Sequence, residues 1–365
     1  MAYGNYPDLT RVRRVLVMKL RHLGDVLLTS PVFFALKKAL PQAQIDAYVY
    51  GQAAPMLEGH PAISEILQYD LEWKKLPWLS RLGKEISVLR RIRNNQYDLM
   101  INLTEGDRGA MAARFSGAAI RVGVDQRKVY THKVKNCPTL RHTVERQLDS
   151  LRRIGIFPSD DEKELFLSVP DVAIDSVRQR VGFEKFILIH PASRWRFKCW
   201  PAQKMEALAQ RLIERGERIV FSSGPSDDEV QMVDEIIKDL PKELYCNLAG
   251  RLSLKELAAL IQMSSALICS DSVPLHIASA LKTPVVALFG PTSEITWGPW
   301  RNPYARIAMA NMSCRPCYLD GCGGSKVCDC MQAIAVDQVL SELEVLAKIG
   351  APGLRIIHEL VDRPR

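Results

Sequence analysis

No apolar run in this chain is long enough to cross a membrane; the longest are broken by charges well short of a span. A secretory apolar segment is missing at the N-terminus, and there is no internal repeat, low-complexity linker or recognisable nucleic-acid-binding module. The nine cysteines are odd in number and unevenly spaced, which excludes a regular disulfide framework and suits a reducing compartment. Together these absences predict a cytoplasmic globular protein, and the missing module argues against nucleic acid as its partner. What is present fits: 47% hydrophobic and 25% charged residues are ordinary for a soluble fold. At 365 residues the chain is long for one core, so two domains are expected.

Charge is distributed unevenly. Residues 1–150 hold 23 Lys and Arg against 14 Asp and Glu, a net +9, while the remainder holds 26 against 27, a net −1. A basic first half calls for an anionic partner: a nucleic acid, a phosphorylated substrate or an acidic membrane surface.

Along the chain, apolar runs at 13–20, 45–50, 66–69, 99–103 and 120–124 read as buried strands. Helical periodicity separates them, at 26–40 and at 79–92. Residues 125–141 break the rhythm as a basic surface loop, and a helix follows at 143–154. The alternation then restarts, with strands at 186–190, 218–222, 244–248, 266–269 and 285–289 and helices at 202–215, 228–240, 254–264, 275–281 and 336–348. Two runs of β-α alternation predict an α/β protein of two doubly wound, Rossmann-like domains facing a central cleft. The expected boundaries are 1–175, 176–350 and a tail at 351–365 that packs back on the first domain.

Polar residues gather where strands end. Ala266–Pro291 has a buried strand, then Asp271 and Ser272 with helix-capping character, then a helix carrying His276. Such a helix start is either a capped turn or an anion site. Asp25, after Gly24 at the end of the first strand, is either a general base or a helix N-cap. Ser193, Arg194, Arg196, Lys198 and two Trp crowd one strand-to-helix loop, where Lys198 is a credible diphosphate ligand and a solvated basic loop is the alternative. Gly224 and Ser226 close the next strand, as a base or ribose border or as plain turn chemistry.

Five thiols, Cys314, Cys317, Cys322, Cys328 and Cys330, suggest either one structural zinc or reduced cysteines packing a loop. The stretch 72–93 carries Trp73, Trp78 and seven Lys/Arg. It is read either as a helix lying on an anionic membrane or as a core-packed helix with a solvated basic side.

Three motifs are the most specific: Lys19-x-Arg21-x-x-Gly24-Asp25-x5-Pro31; Phe197-Lys198-Cys199-Trp200; and Asp271-Ser272-x3-His276 followed by Leu288-Phe289-Gly290-Pro291-Thr292. With them the chain resembles, over nearly its whole length, the ADP-heptose:lipopolysaccharide heptosyltransferases of glycosyltransferase family 9, which have the GT-B fold. Arg196-Phe197-Lys198-Cys199-Trp200 and Trp297-Gly298-Pro299-Trp300 look most like the heptosyltransferase III branch.

The resemblance implies inverting transfer of heptose from ADP-heptose to an inner-core heptose of lipopolysaccharide, without a required cofactor. Asp25 matches the catalytic base. Ser193, Arg194, Lys198, Gly224, Ser226, Asp271, Ser272 and His276 fall at the donor site. Arg21, Lys74, Lys75, Arg127 and Lys128, in the basic half, would hold the phosphorylated lipid A-core acceptor, with the protein peripheral on the cytoplasmic face of the inner membrane. Two positions depart from the pattern: Val273 stands where relatives often carry Gly, and Ser226 where some carry an acid. Rival readings are a GT-B transferase using another nucleotide sugar, a non-catalytic glycolipid-binding protein and a nucleic-acid-binding protein.

Overall fold

The computed structural model describes residues 6–135 and 137–354. The chain divides into two compact units, Met1–Ser168 and Val169–Arg365. Each contains one six-stranded sheet in which every strand pair is parallel.

In the first unit the strands are β1 (Arg14–Lys19), β2 (Gln44–Tyr50), β3 (Glu65–Tyr69), β4 (Leu99–Asn102), β5 (Ile120–Gly123) and β6 (His132–Lys133), in the order β3-β2-β1-β4-β5-β6. The helices are α1 (Leu23–Leu27), α2 (Ser30–Ala39), α3 (Trp78–Asn94), α4 (Asp107–Ser116) and α5 (Thr143–Arg152). β1 and β4 are apolar runs with almost every residue buried, the mark of central parallel strands covered on both faces.

In the second unit the strands are β7 (Ile187–His190), β8 (Ile219–Phe221), β9 (Tyr245–Asn247), β10 (Ala266–Ser270), β11 (Val285–Phe289) and β12 (Ala305–Met309), in the order β12-β11-β10-β7-β8-β9. Around them lie α6 (Asp171–Val181), α7 (Ala202–Glu214), α8 (Asp227–Ile237), α9 (Leu254–Met263), α10 (Val273–Leu281), α11 (Glu294–Trp297), α12 (Asp329–Gln332) and α13 (Val336–Lys348). The two strand orders are the same doubly wound pattern, each reversing beside its first strand.

Several elements differ from the expectation. The single helix expected over 26–40 is two, because Leu28 caps the end of α1, Thr29 is the N-cap of α2 and Pro31 sits in its first turn, where its missing N–H is harmless. β6 lies inside the expected loop 125–141, pairing Val122 with His132 and Gly123 with Lys133. α4 and the edge strand β12 have no strong apolar period to announce them; α4 starts after Gly106 and ends at left-handed Gly117. The expected junction at 175/176 would cut α6, which belongs to the second unit. Ser176 Oγ donates to Glu256 Oε1 at 2.7 Å, and Arg180 pairs with the same carboxylate at 3.2 Å. Of the expected tail, residues 355–365 lie outside the described residues.

Candidate functional site

Parallel strands deliver every following loop to one sheet edge, and the crevice forms where the order reverses. In the second unit the reversal falls between β7 and β10. The loop after β7 carries Ser193, Arg194 and Lys198, and the loop after β10 carries Asp271 and Ser272. The two loops meet: Lys198 Nζ donates to Asp271 Oδ2 at 2.7 Å. The same oxygen accepts the Thr292 hydroxyl at 2.7 Å, from the loop after β11. Asp271 and Thr292 are 5% and 6% exposed, so a buried carboxylate ties three loops together. Burying a charge is tolerated when it is paired and hydrogen-bonded, as here.

Ser272 is the extended N-cap of α10, but its hydroxyl turns back to Ser270 O at 3.2 Å and no side chain caps the helix. Val273 opens the helix and is absent from the residues at positive φ, so this loop asks for no glycine there. His276 is buried in α10. Ser193 Oγ accepts from Trp195 N at 3.4 Å, and the Arg194 guanidinium lies over the Trp195 ring at 5.6 Å. Trp200, fully buried, fixes the far end of that loop by donating Nε1–H to Ile334 O at 3.2 Å. At the edge below, His190 Nδ1 lies 2.9 Å from Ser222 Oγ, and burial pushes its imidazole down to about 4.

Thr292 closes one of the sequence motifs, but its bond to Asp271 becomes visible only in the fold. Glu229 was not singled out from sequence. Glu229 accepts the Gly224 N–H at 2.7 Å, and a Cβ on Gly224 would stand 2.3 Å from that carboxylate, so a larger residue there would push the Glu229 side chain aside. The Ser226-x-x-Glu229 spacing was the available signal. Ser226 is the N-cap of α8 with no side-chain cap bond, and it is exposed.

The cysteine segment lies behind this edge. Among the described residues no group of three or more His, Cys, Asp or Glu is placed to hold a metal, so the zinc alternative is not supported. All nine cysteines are free thiols. Cys328 and Cys330 are buried, and burial pushes the Cys328 thiol up to about 12. This is a packing role: a Cβ on Gly290 would lie 2.6 Å from Met331 Sδ and 3.5 Å from Cys330 Sγ. Arg315 Nε donates to Gly290 O at 2.6 Å, and Tyr318 N donates to Pro291 O at 2.9 Å. The segment therefore clamps the turn that delivers Thr292.

In the first unit the reversal falls between β1 and β4. Asp25 lies in the first turn of α1, not at its cap; His22 holds that place, which removes the N-cap alternative. Lys19, the last residue of β1 and 8% exposed, donates to Leu103 O at 3.1 Å and sits 3.9 Å from Asp25 Oδ1. Burial lowers its pKa to about 8, opposed by Asp25 and Glu105 and reinforced by Arg21 and Arg146. Glu105 and Arg146 were not singled out from sequence, since only folding brings them to the end of β1.

Arg21, Lys74 and Lys75 are exposed at this edge, with Lys75 paired to Glu72 at 2.6 Å. Lys128 is exposed. Arg127 is held by Asp107 at 2.6 Å and Asp125 at 3.4 Å, so its cation is already matched.

The family model described as glycosyltransferase family 9 (heptosyltransferase) matches residues 86–327. Lipopolysaccharide heptosyltransferase 3 of Escherichia coli K12 is 31% identical over 346 residues, covering 92% of this chain and 98% of that protein. Two solved structures establish the fold. A family 9 glycosyltransferase from Veillonella parvula superposes with TM-score 0.80 at 23% identity, covering 94% of this chain and 99% of that one. The E. coli heptosyltransferase WaaC with ADP superposes with TM-score 0.71 at 18% identity, covering 92% and 100%. The GT-B class expected from the motifs therefore stands, and the chain belongs to glycosyltransferase family 9, the heptosyltransferases.

Proposed function

We propose that this enzyme transfers L-glycero-D-manno-heptose from ADP-heptose to an inner-core heptose of lipopolysaccharide, with inversion, in the manner of heptosyltransferase III. The observation that carries the reading is the Lys198–Asp271–Thr292 junction at the sheet reversal of the second unit. An ammonium held by a buried carboxylate beside an uncapped helix start suits a diphosphate. The related WaaC was solved with ADP, which fits that choice of ligand.

In the reaction, Asp25 takes the proton of the acceptor hydroxyl as its oxygen bonds to the anomeric carbon of the donor. The bond from that carbon to ADP breaks, and the leaving diphosphate keeps the electron pair. Lys198 and the start of α10 neutralise the developing charge, an electrostatic contribution that needs no proton transfer to the leaving group. Arg21, Lys74, Lys75 and Lys128 meet the phosphorylated core of the acceptor on the cytoplasmic face of the inner membrane. Among the described residues no helix is long and apolar enough to cross that membrane.

The test is mass detection of heptose transfer onto defined truncated core lipids, with ADP-heptose compared against UDP- and GDP-sugars and with a chelator present. Transfer from ADP-heptose alone, unaffected by the chelator, is expected. Asp25→Asn should keep ADP affinity and lose about 10²–10⁴-fold in kcat. Near-normal turnover of that variant would remove Asp25 as the base, and preference for another sugar nucleotide would reassign the donor.

A further inference from the structure

Helix α3 is 17 residues long, yet Ile92 is its one buried side chain. One face is anchored. Val88 and Ile92 pack on the cluster around Tyr69 and Met100, and Glu85 accepts the Tyr69 hydroxyl at 2.9 Å and pairs with Arg81 at 3.2 Å. The face flanking it is neither polar nor covered. Trp78 is 72% exposed, Leu79 63%, Leu82 45% and Ile86 36%, and Leu76 just before the helix is 38% exposed. At the helical repeat these positions fall within an arc of about 100°, a continuous apolar stripe. The helix packs inward through Val88 and Ile92 and leaves Trp78, Leu79, Leu82 and Ile86 outside, more apolar surface than a core-packed helix with a solvated basic side presents.

Charge identifies what covers them. Residues 72–93 carry seven Lys/Arg against two Glu, a net +5. Arg90 borders the stripe and Lys84 lies farther round the helix, while Lys74 and Lys75 occupy the turn just before it. A second copy of this chain presenting the same face would oppose +5 with +5, which disfavours self-pairing. A surface that is apolar within and anionic outside satisfies both halves at once, and Trp is suited to its boundary.

We propose that the outward face of α3 docks on an anionic lipid bilayer, with Trp78, Leu79, Leu82 and Ile86 entering the interface and Lys74, Lys75 and Arg90 meeting the lipid phosphates. This deepens the proposed function and rests on its lipid-borne acceptor for purpose, though the binding itself is measurable without transfer.

The experiment is co-sedimentation of the full chain with vesicles of phosphatidylglycerol and phosphatidylethanolamine, against vesicles of phosphatidylcholine alone. Binding to the anionic vesicles that weakens with salt is expected, together with a blue shift of tryptophan emission that Trp78→Phe abolishes. The triple variant Leu79→Ser, Leu82→Ser, Ile86→Ser should partition at least tenfold less while keeping the wild-type urea midpoint. It should transfer normally to a detergent-dispersed acceptor and poorly to a vesicle-embedded one. Arg90→Gln should remove part of the salt-sensitive binding, whereas Lys84→Gln, on the far side of the helix, should leave it nearly unchanged. Equal partitioning by wild type and triple variant would overturn the proposal. So would a wild-type dimer that the triple variant dissolves, which would make the face an interface between copies. If vesicle binding behaves as expected while no heptose is transferred, the functional reading fails and the docking surface stands.

Discussion

Asp271 accepts two hydrogen bonds through one oxygen, from Lys198 and from Thr292, and this fixes what its removal should do. Asp271→Asn keeps the shape but strips the charge that holds a partly buried ammonium. Breaking such a pair costs about 3–5 kcal/mol in fully buried sites; Lys198 keeps some solvent access, so about 2 kcal/mol is the better expectation. The urea midpoint should fall accordingly, and ADP binding should weaken about tenfold or more as Lys198 loses its fixed position. Unchanged ADP affinity by calorimetry would leave Asp271 a purely structural residue. Asp271 and Lys198 were both legible in the sequence as members of polar loops. Their contact was not, because 73 residues separate them.

At the scale of elements, the turn after β11 is held by close approach, not by its own sequence. Met331 and Cys330 press on Gly290, and Arg315 and Tyr318 bind the carbonyls of Gly290 and Pro291. Gly290→Ala would place a methyl 2.6 Å from Met331 Sδ. Overpacking of this kind costs about 1–3 kcal/mol. Because the displaced turn carries Thr292, the donor KM should rise by more than kcat falls. A thermal shift with unchanged donor KM would separate the clamp from the site. The cysteine cluster shows how spacing can mislead: five thiols in sequence suggested a ligand set, whereas in the fold two are buried packing and the others lie at or near the surface. α3 shows the converse. Its amphipathic pattern was plain in the sequence, but which face turned inward depended on Tyr69, Glu85 and Arg108 supplying a polar seat for the helix.

For the whole molecule, each unit has a buried histidine whose burial holds it neutral. In the first, His60 is packed by Phe33, Phe34 and Phe166, accepts the Ala62 N–H on Nδ1 at 3.2 Å and lies 3.2 Å from Ser30 O through Nε2. In the second it is His190. Burial lowers both to about 4, below the unfolded value near 6.5. As pH falls through 6.5 the unfolded chain binds protons that the fold refuses. Stability is therefore complete above about 6.5, declines toward pH 4 and flattens below it. Between pH 7 and 5 each histidine should withdraw about 2 kcal/mol. Urea midpoints across that range check this, and His190→Asn should flatten the slope by about one histidine's share. An unaltered slope would mean that His190 protonates freely in the folded protein.

The sequence by itself determined the two doubly wound units, the sheet-edge loops and the family, because central parallel strands must be continuous apolar runs and their polar ends must be loops. It also placed the positive charge in the first half. Tertiary structure alone decided which loops touch: Lys198 with Asp271 and Thr292, Lys19 with Asp25 and Leu103, Glu229 with Gly224. It also decided that α3 keeps its apolar stripe outside. The physical reason is common to all of these. Periodicity and turn chemistry act over a few residues, whereas a buried charge or an exposed apolar face is defined by partners brought from far along the chain.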